Sequence, residues 1–191
     1  MRLRPLSPED GPALLAAGRW PEIWDWMSAM PTTAESMSEW IEAALKAQGQ
    51  GLELPFTVLR LPDEKVIGST RYLDIQEANR TVEVGWTWYA PDAWGTSVNP
   101  EAKFLLLEHA FERWRAVRVA LKTDARNLHS QAAIRKLGAK YEGTLRNHRI
   151  RRDGSLRDTV MFSIIDSEWP AVKAALVRRL GTYAERDERA T

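Results

Sequence analysis

The rhythm of apolar and polar positions changes several times along the chain, and each change marks an element. Arg2 to Leu6 alternates charged with apolar residues, as a short edge strand does. Ser7, Pro8, Glu9 and Asp10 then start a helix: a capping hydroxyl, a proline where no N–H is needed, and acids at the positive end of the dipole. Residues 20–30 read as a second short helical stretch. Thr33 with Ser36 and Glu39 opens a third, in which Met37, Trp40, Ile41, Ala44 and Leu45 share one stripe before Gln48-Gly49-Gln50-Gly51 ends it. The period then shortens to two. Residues 56–61, 66–73 and 81–89 read as three strands joined by turns at 62–65 and 77–80, which makes an antiparallel meander.

Residues 91–99 form a loop, and Pro100 stands where the first turn of a helix tolerates proline. Over 101–114 an amphipathic helix carries Phe104, Leu107, Ala110, Phe111 and Trp114 on one stripe. Residues 117–123 alternate as a strand. Asn127 caps the next helix, which runs through Ser130, Ala133, Ile134 and Leu137 and stops at Gly138. Residues 141–150 and 158–165 pair as a closing hairpin around Asp153-Gly154, and Asp166 or Ser167 caps a last helix to about Leu180. A meander followed by strand, helix and hairpin gives an α/β fold: a mixed, mostly antiparallel sheet with helices on both faces. Residues 1–183 are expected to form a single domain, and 184–191 a disordered charged tail.

Composition narrows the classes. The chain has 191 residues, 44% hydrophobic and 28% charged, as an ordinary globular protein does. Its net charge of +1 argues against broad attraction to nucleic acid or to a membrane surface. Zero cysteines exclude disulfides, thiolate catalysis and thiolate metal sites together. No signal-like apolar leader and no membrane-spanning run is seen, so a cytoplasmic protein without a metal is expected. Nine tryptophans are many for this length, and most should line the core or a groove.

Chemistry concentrates where the third meander strand meets the helix after it, from Glu83 through Gly85-Trp86-Thr87-Trp88-Tyr89 to Trp94-Gly95-Thr96-Ser97-Val98-Asn99. A loop of small residues there delivers free backbone N–H groups to a helix N-terminus, which favours an anion. Gly95 permits close backbone approach, and Thr96 and Ser97 add hydroxyl donors. After the next strand comes Asn127-Leu128-His129-Ser130-Gln131-Ala132-Ala133-Ile134-Arg135-Lys136-Leu137-Gly138. The pattern Asn-x-x-Ser-x-x-Ala-x-x-Lys-x-Gly resembles the acyl-CoA helix of the GNAT acyltransferases. Residues 94–103 followed by Leu105-Leu106-Leu107-Glu108-His109-Ala110-Phe111 resemble their pyrophosphate loop and helix. With Glu142-Gly143 and the closing hairpin, the chain is similar to the RimJ/RimL-type branch, which acetylates ribosomal-protein N-termini, over roughly residues 3–169.

The resemblance implies a sheet splayed between the third meander strand and the next parallel strand, with acetyl-CoA as co-substrate in the gap. Its pantetheine amides would pair with the main chain of Trp86, Thr87, Trp88 and Tyr89. Its pyrophosphate would lie on the N–H groups of Trp94, Gly95, Thr96, Ser97, Val98 and Asn99. Asn127 and Ser130 would meet the pantetheine arm, and Arg126, Arg135 or Lys103 would approach the phosphates. The chain departs from the family in three places. Val98-Asn99-Pro100 stands where a second glycine is usual. Ile134 takes the place of a late helical tyrosine that serves many members as acid, and Arg149 that of a glutamate proposed as base in part of the branch. Ser130 matches the serine suggested as an alternative acid, and Glu83, facing the cleft, is the preferred base, although Arg71 or Arg80 could pair with it across the meander.

The implied reaction is direct attack of a primary amine on the thioester in a ternary complex. The acceptor would be a peptide or protein N-terminus, or else a small-molecule amine. Trp24 and Trp26, in the early helical region, and His148, on the closing hairpin, are the acceptor-side candidates, whereas His129 points to the surface. Two rivals stand beside this reading: a catalytically idle acyl-CoA-binding domain, and a nucleic-acid module using the Arg-rich 146–152 segment, whose charge equally suits a guarded edge strand. A homodimer is left open.

Overall fold

The computed structural model describes the backbone of residues 1–188 and the side chains as far as residue 185. The alternating segments become β1 (Arg2–Pro5), β2 (Leu54–Leu59), β3 (Val66–Gln76) and β4 (Thr81–Tyr89), which pair antiparallel in succession. β5 (Arg118–Asp124) adds parallel to β4, and the hairpin of β6 (Lys140–Ile150) and β7 (Leu156–Ile165) places β7 beside β5. One seven-stranded sheet results, in the order β1-β2-β3-β4-β5-β7-β6. Arg146 and Arg149 of the Arg-rich segment lie on β6, at the edge, where charge discourages pairing with another chain. Arg151 and Arg152 follow in the turn and bond to Asp124 and to the Trp24 carbonyl, respectively.

Among the described residues five helices cover the sheet: α1 (Gly11–Ala17), α2 (Ala34–Gly49), α3 (Val98–Glu108), α4 (Leu128–Lys136) and α5 (Trp169–Glu188). The caps read from the sequence are formed. Thr33 Oγ1 accepts from Ser36 N at 3.1 Å, and Asn127 Oδ1 accepts from Ser130 N at 2.9 Å. Gly138 leaves α4 at φ +98°, a conformation that favours glycine.

Three expectations are corrected. Residues 20–30 hold only a single tight turn, Pro21–Trp24, which Pro21 opens and which ends as Trp24 is drawn into the core. α3 starts at Val98, three residues before the expected position, since Pro100 falls among the first N–H groups that need no helical partner. Its end widens into a π-turn at His109–Arg113. α5 continues to Glu188 rather than stopping near Leu180, and residues 189–191 of the expected tail lie outside the described residues.

The sheet separates two cores. Tyr72, Val82, Val84, Leu107, Val119, Leu121 and Phe162 pack with α3, α4 and α5 on one face. Leu14, Trp24, Met37, Trp40, Ile41 and Trp88 pack with α1 and α2 on the other. β4 serves both. Trp86 and Thr87 stand opposite the single residue Thr70, with Trp86 at φ +48°, so a bulge reverses the alternation. Before it Val82 and Val84 face α3; after it Trp88 turns to α1 and α2, while Tyr89 packs against Val98 and Ala102.

At Gly68 of β3 an added Cβ would stand 2.1 Å from the Trp88 carbonyl oxygen of β4. Gly68→Ala must push these backbones apart beside the bulge. A destabilisation of about 1–3 kcal/mol is expected, read as a lower urea midpoint at unchanged m-value.

Candidate functional site

The parallel pairing of β4 with β5 lasts three rungs, Thr81↔Arg118, Val82↔Val119 and Glu83↔Ala120, and then stops. Beyond Glu83, β4 is paired only with β3, and beyond Ala120, β5 only with β7. Two strand edges therefore open away from each other with main-chain groups facing the gap, and a bulge at the mouth adds local twist. Gly85, Trp86 and Thr87 form its partly exposed lip, between the buried Val84 and Trp88. An extended chain of amides can complete such edges as a strand would.

At the far end of the lip a turn at Pro91–Ala93 leads through Gly95, at φ +75°, into the N-terminus of α3. Nothing lies within 4 Å of where a Gly95 side chain would begin, so the loop is open there. The hydroxyls expected to meet a ligand are engaged inside the loop: Thr96 Oγ1 donates to the Ala93 carbonyl at 2.7 Å, and Ser97 Oγ donates to Glu101. Backbone donors remain. The N–H groups of Gly95, Thr96, Ser97 and Asn99 find no acceptor among the described residues, while Val98 N reaches Thr96 Oγ1 at 3.3 Å. Glu101, an acid in this first turn, is paired with the Met1 ammonium at 2.6 Å, so it does not cancel the positive helix end. Converging N–H groups at a helix N-terminus suit a phosphate.

Beneath the lip lies Lys103, buried from α3, with Nζ donating to Thr87 Oγ1 at 2.5 Å. Thr87 Oγ1 also shares a 2.8 Å hydrogen bond with Thr70 Oγ1. No carboxylate pairs with this ammonium among the described residues, and burial holds its pKa down at about 7. Lys103 is thus tied to the bulge and not to the loop. Arg126 is exposed, and Arg135, also exposed, donates to Gln131 at 3.3 Å.

Glu83 occupies the last rung before the strands part, 5% exposed. Its partner is neither Arg71 nor Arg80 but Lys122 of β5, with Nζ 2.7 Å from Oε2. Arg71 pairs instead with Glu53 at 2.9 Å. Glu83 Oε1 leans along β4, 3.1 Å from where a Gly85 Cβ would be. On the opposite wall Ser130 is half-buried, and no other described residue takes its hydroxyl. Asn127 spends its carbonyl oxygen on the cap, which leaves its amide nitrogen free. Ile134 is core.

A family model for the acetyltransferase (GNAT) domain matches residues 1–140. The chain belongs to the GNAT acetyltransferases. It is 27% identical over 150 residues, 78% of this chain and 80% of the relative, to the Bacillus subtilis (strain 168) protein named "Putative ribosomal N-acetyltransferase YdaF". A crystal structure described as a "putative acetyltransferase from T. thermophilus" matches with a TM-score of 0.84 at 39% identity, over 94% of this chain and 93% of that one. A GCN5-related N-acetyltransferase from Brucella melitensis matches with a TM-score of 0.87 at 30% identity, over 94% of this chain and 81% of that one.

Among the acceptor-side candidates of this acetyltransferase, Trp24 lies in the core. It is 1% exposed, its ring lies 4.9 Å from that of Trp88, and its Nε1 donates to the Gly18 carbonyl at 2.7 Å, which makes it a core pillar. Trp26 is on the surface. His148 is exposed on β6 beside an open groove lined by Thr144, Leu145, Asn147 and Asp158. What burial it has, with the cations of Arg149, Lys122 and Arg157, holds its pKa below the ordinary imidazole value. His129 is exposed, as expected. Lys122 and Trp40 were not foreseen as site residues; Trp40 reads from the sequence only as part of the apolar stripe of α2, and Trp86 only through its main chain. No cluster of His, Asp or Glu that could hold a metal occurs among the described residues, and no helix there is long and apolar enough to cross a membrane.

Proposed function

We propose that this enzyme moves an acetyl group from acetyl-CoA directly to the amine of a peptide or protein N-terminus. The three-rung β4–β5 pairing, opening beside a loop of unclaimed N–H groups, is the observation that carries the reading. It gives a long phosphorylated thioester one end to anchor and one edge to lie along. The loop from Trp94 to Asn99 takes the phosphates, and the lip from Trp86 to Tyr89 takes the pantetheine amides. Asn127 supplies its amide nitrogen from the facing helix.

The amine must lose a proton to attack, and Glu83, at the vertex of the opening, accepts it directly or through one water. Nitrogen bonds to the thioester carbon, and backbone N–H groups of the lip stabilise the oxyanion. The carbon–sulfur bond breaks, and the Ser130 hydroxyl donates to the leaving thiolate. Similarity to a protein named as a ribosomal N-acetyltransferase supports this choice of acceptor.

Calorimetry with acetyl-CoA, paired with a CoA-release assay over N-terminal peptides, free amino acids and spermidine, tests both levels. Micromolar binding and release with peptides are expected. Binding without release on any amine overturns the catalytic reading, and preference for spermidine overturns the acceptor.

A further inference from the structure

Arg71 of β3 stands opposite Gly85, between the rung of Glu83 and the bulge, and is 4% exposed. Its guanidinium lies over the Trp40 ring at 4.3 Å and the Trp86 ring at 5.1 Å, and the two rings are 6.5 Å apart. One nitrogen, Nη1, donates to Glu53 at 2.9 Å. The other two, Nε and Nη2, are buried without an acceptor among the described residues, and so are the ring N–H groups of Trp40 and Trp88, whose rings are 6.3 Å apart. A buried donor left unmade costs about 1–3 kcal/mol, and folded proteins hold few of them. Four gathered on three adjoining side chains, next to the partly exposed Trp86 at the lip of the cleft, mark a place where a partner belongs.

We propose that Arg71, Trp40, Trp86 and Trp88 form an acceptor subsite that takes a carbonyl or carboxylate oxygen of the molecule being acetylated. The inference rests on the reading of Glu83 as the group facing the amine. All four orphaned groups are donors, so the ligand atom must be a pure acceptor with lone pairs to share. A polyamine, which offers only further N–H groups and positive charge, has nothing to give here. The Glu53 carboxylate already meets one side of the guanidinium, so a neutral peptide carbonyl serves as well as a carboxylate.

Spacing sets where the oxygen lies. Glu83 and Gly85 share one face of β4, and Arg71 is directly across from Gly85. Diagonal neighbours of this kind are roughly 7 to 8 Å apart at Cα. The oxygen therefore sits several bonds from the reacting nitrogen, as it does in an aminoacyl chain and does not in an alkylamine.

Two readouts on the full chain separate this proposal from the one beneath it. CoA release is measured on a tripeptide amide, a length-matched alkylamine and spermidine, for the wild type and for Arg71→Met and Arg71→Lys. The wild type is expected to favour the tripeptide by roughly 10- to 100-fold in kcat/KM, the worth of hydrogen bonds to a charged group. Arg71→Met should erase that preference through peptide KM, leaving acetyl-CoA KM and the alkylamine rate unmoved, and Arg71→Lys should restore part of it. Equal use of tripeptide and alkylamine by the wild type overturns the subsite even if the variants do not fold. Tripeptide binding to the CoA-bound wild type and Arg71→Met, followed by tryptophan fluorescence, reads the subsite without turnover. An unchanged Kd there means that the donors hold a trapped water only, whereas Arg71-dependent binding with no CoA release supports the subsite and removes the catalytic reading.

Discussion

Glu83→Gln should lower kcat with an N-terminal peptide by roughly 10²- to 10⁴-fold near neutral pH, the range associated with loss of a general base. The carboxamide keeps the shape of the side chain and can still meet Lys122, 2.7 Å away in the wild type, but it cannot take a proton. Acetyl-CoA affinity should barely move, because the change leaves the N–H groups of the loop in place, while Tm should fall as the Lys122 ammonium loses its charged partner. An N-terminal amine titrates near pH 8, so the deficit should narrow above that pH as more acceptor arrives already deprotonated. A variant within threefold of the wild type across this range would show that the proton leaves by another route. The position of Glu83 makes the test pointed: it is the last residue before the strands part, and the free direction from its buried carboxylate is toward Gly85 and the lip.

Local signals carried much of the fold. Asn127, Ser130 and Gly138 specify where α4 begins and ends without help from the rest of the chain, and the structure forms those caps. The meander was legible because its turns interrupt a period of two. The splay between β4 and β5 came from resemblance to a family, since nothing in either strand's composition says that their pairing will stop after Ala120.

What stayed hidden depends on contacts distant in sequence. Lys122 meets Glu83 only because a parallel register is set across the intervening α3, and a parallel register leaves no turn to read. The bulge at Trp86 has no glycine at its left-handed residue, so the flip that sends Trp88 to one core and Tyr89 to the other has no sequence mark. Trp24 was an acceptor-side candidate because it falls in an early stretch that reads as helical, yet a carbonyl at Gly18 satisfies its ring N–H and lets it be buried in the core. Arg71 looked like a strand partner for an acid two rungs away. Its sandwich of tryptophans required the tertiary packing of α2 on β3.

Lys103→Met should stabilise the protein at neutral pH while weakening its hold on acetyl-CoA. The wild-type ammonium is buried, and its single hydrogen-bond partner among the described residues is a threonine hydroxyl. Burial lowers the pKa from 10.5 to about 7. Between those two values the unfolded chain binds the proton and the folded one does not, so stability rises with pH through that window. Below about pH 7 both states are charged, and the folded state carries the full penalty, which at about 1.4 kcal/mol per pKa unit is on the order of several kcal/mol. Methionine fills a similar volume and removes the buried charge. The gain in urea midpoint over the wild type should be largest near pH 6 and shrink steadily toward pH 10. Thr87, freed from its donor, should loosen at the lip and raise the Kd for acetyl-CoA. A variant less stable than the wild type at every pH would show that the hydrogen bond to Thr87 outweighs the desolvation of the ammonium, and the lysine would then be a support of the fold instead of a burden on it.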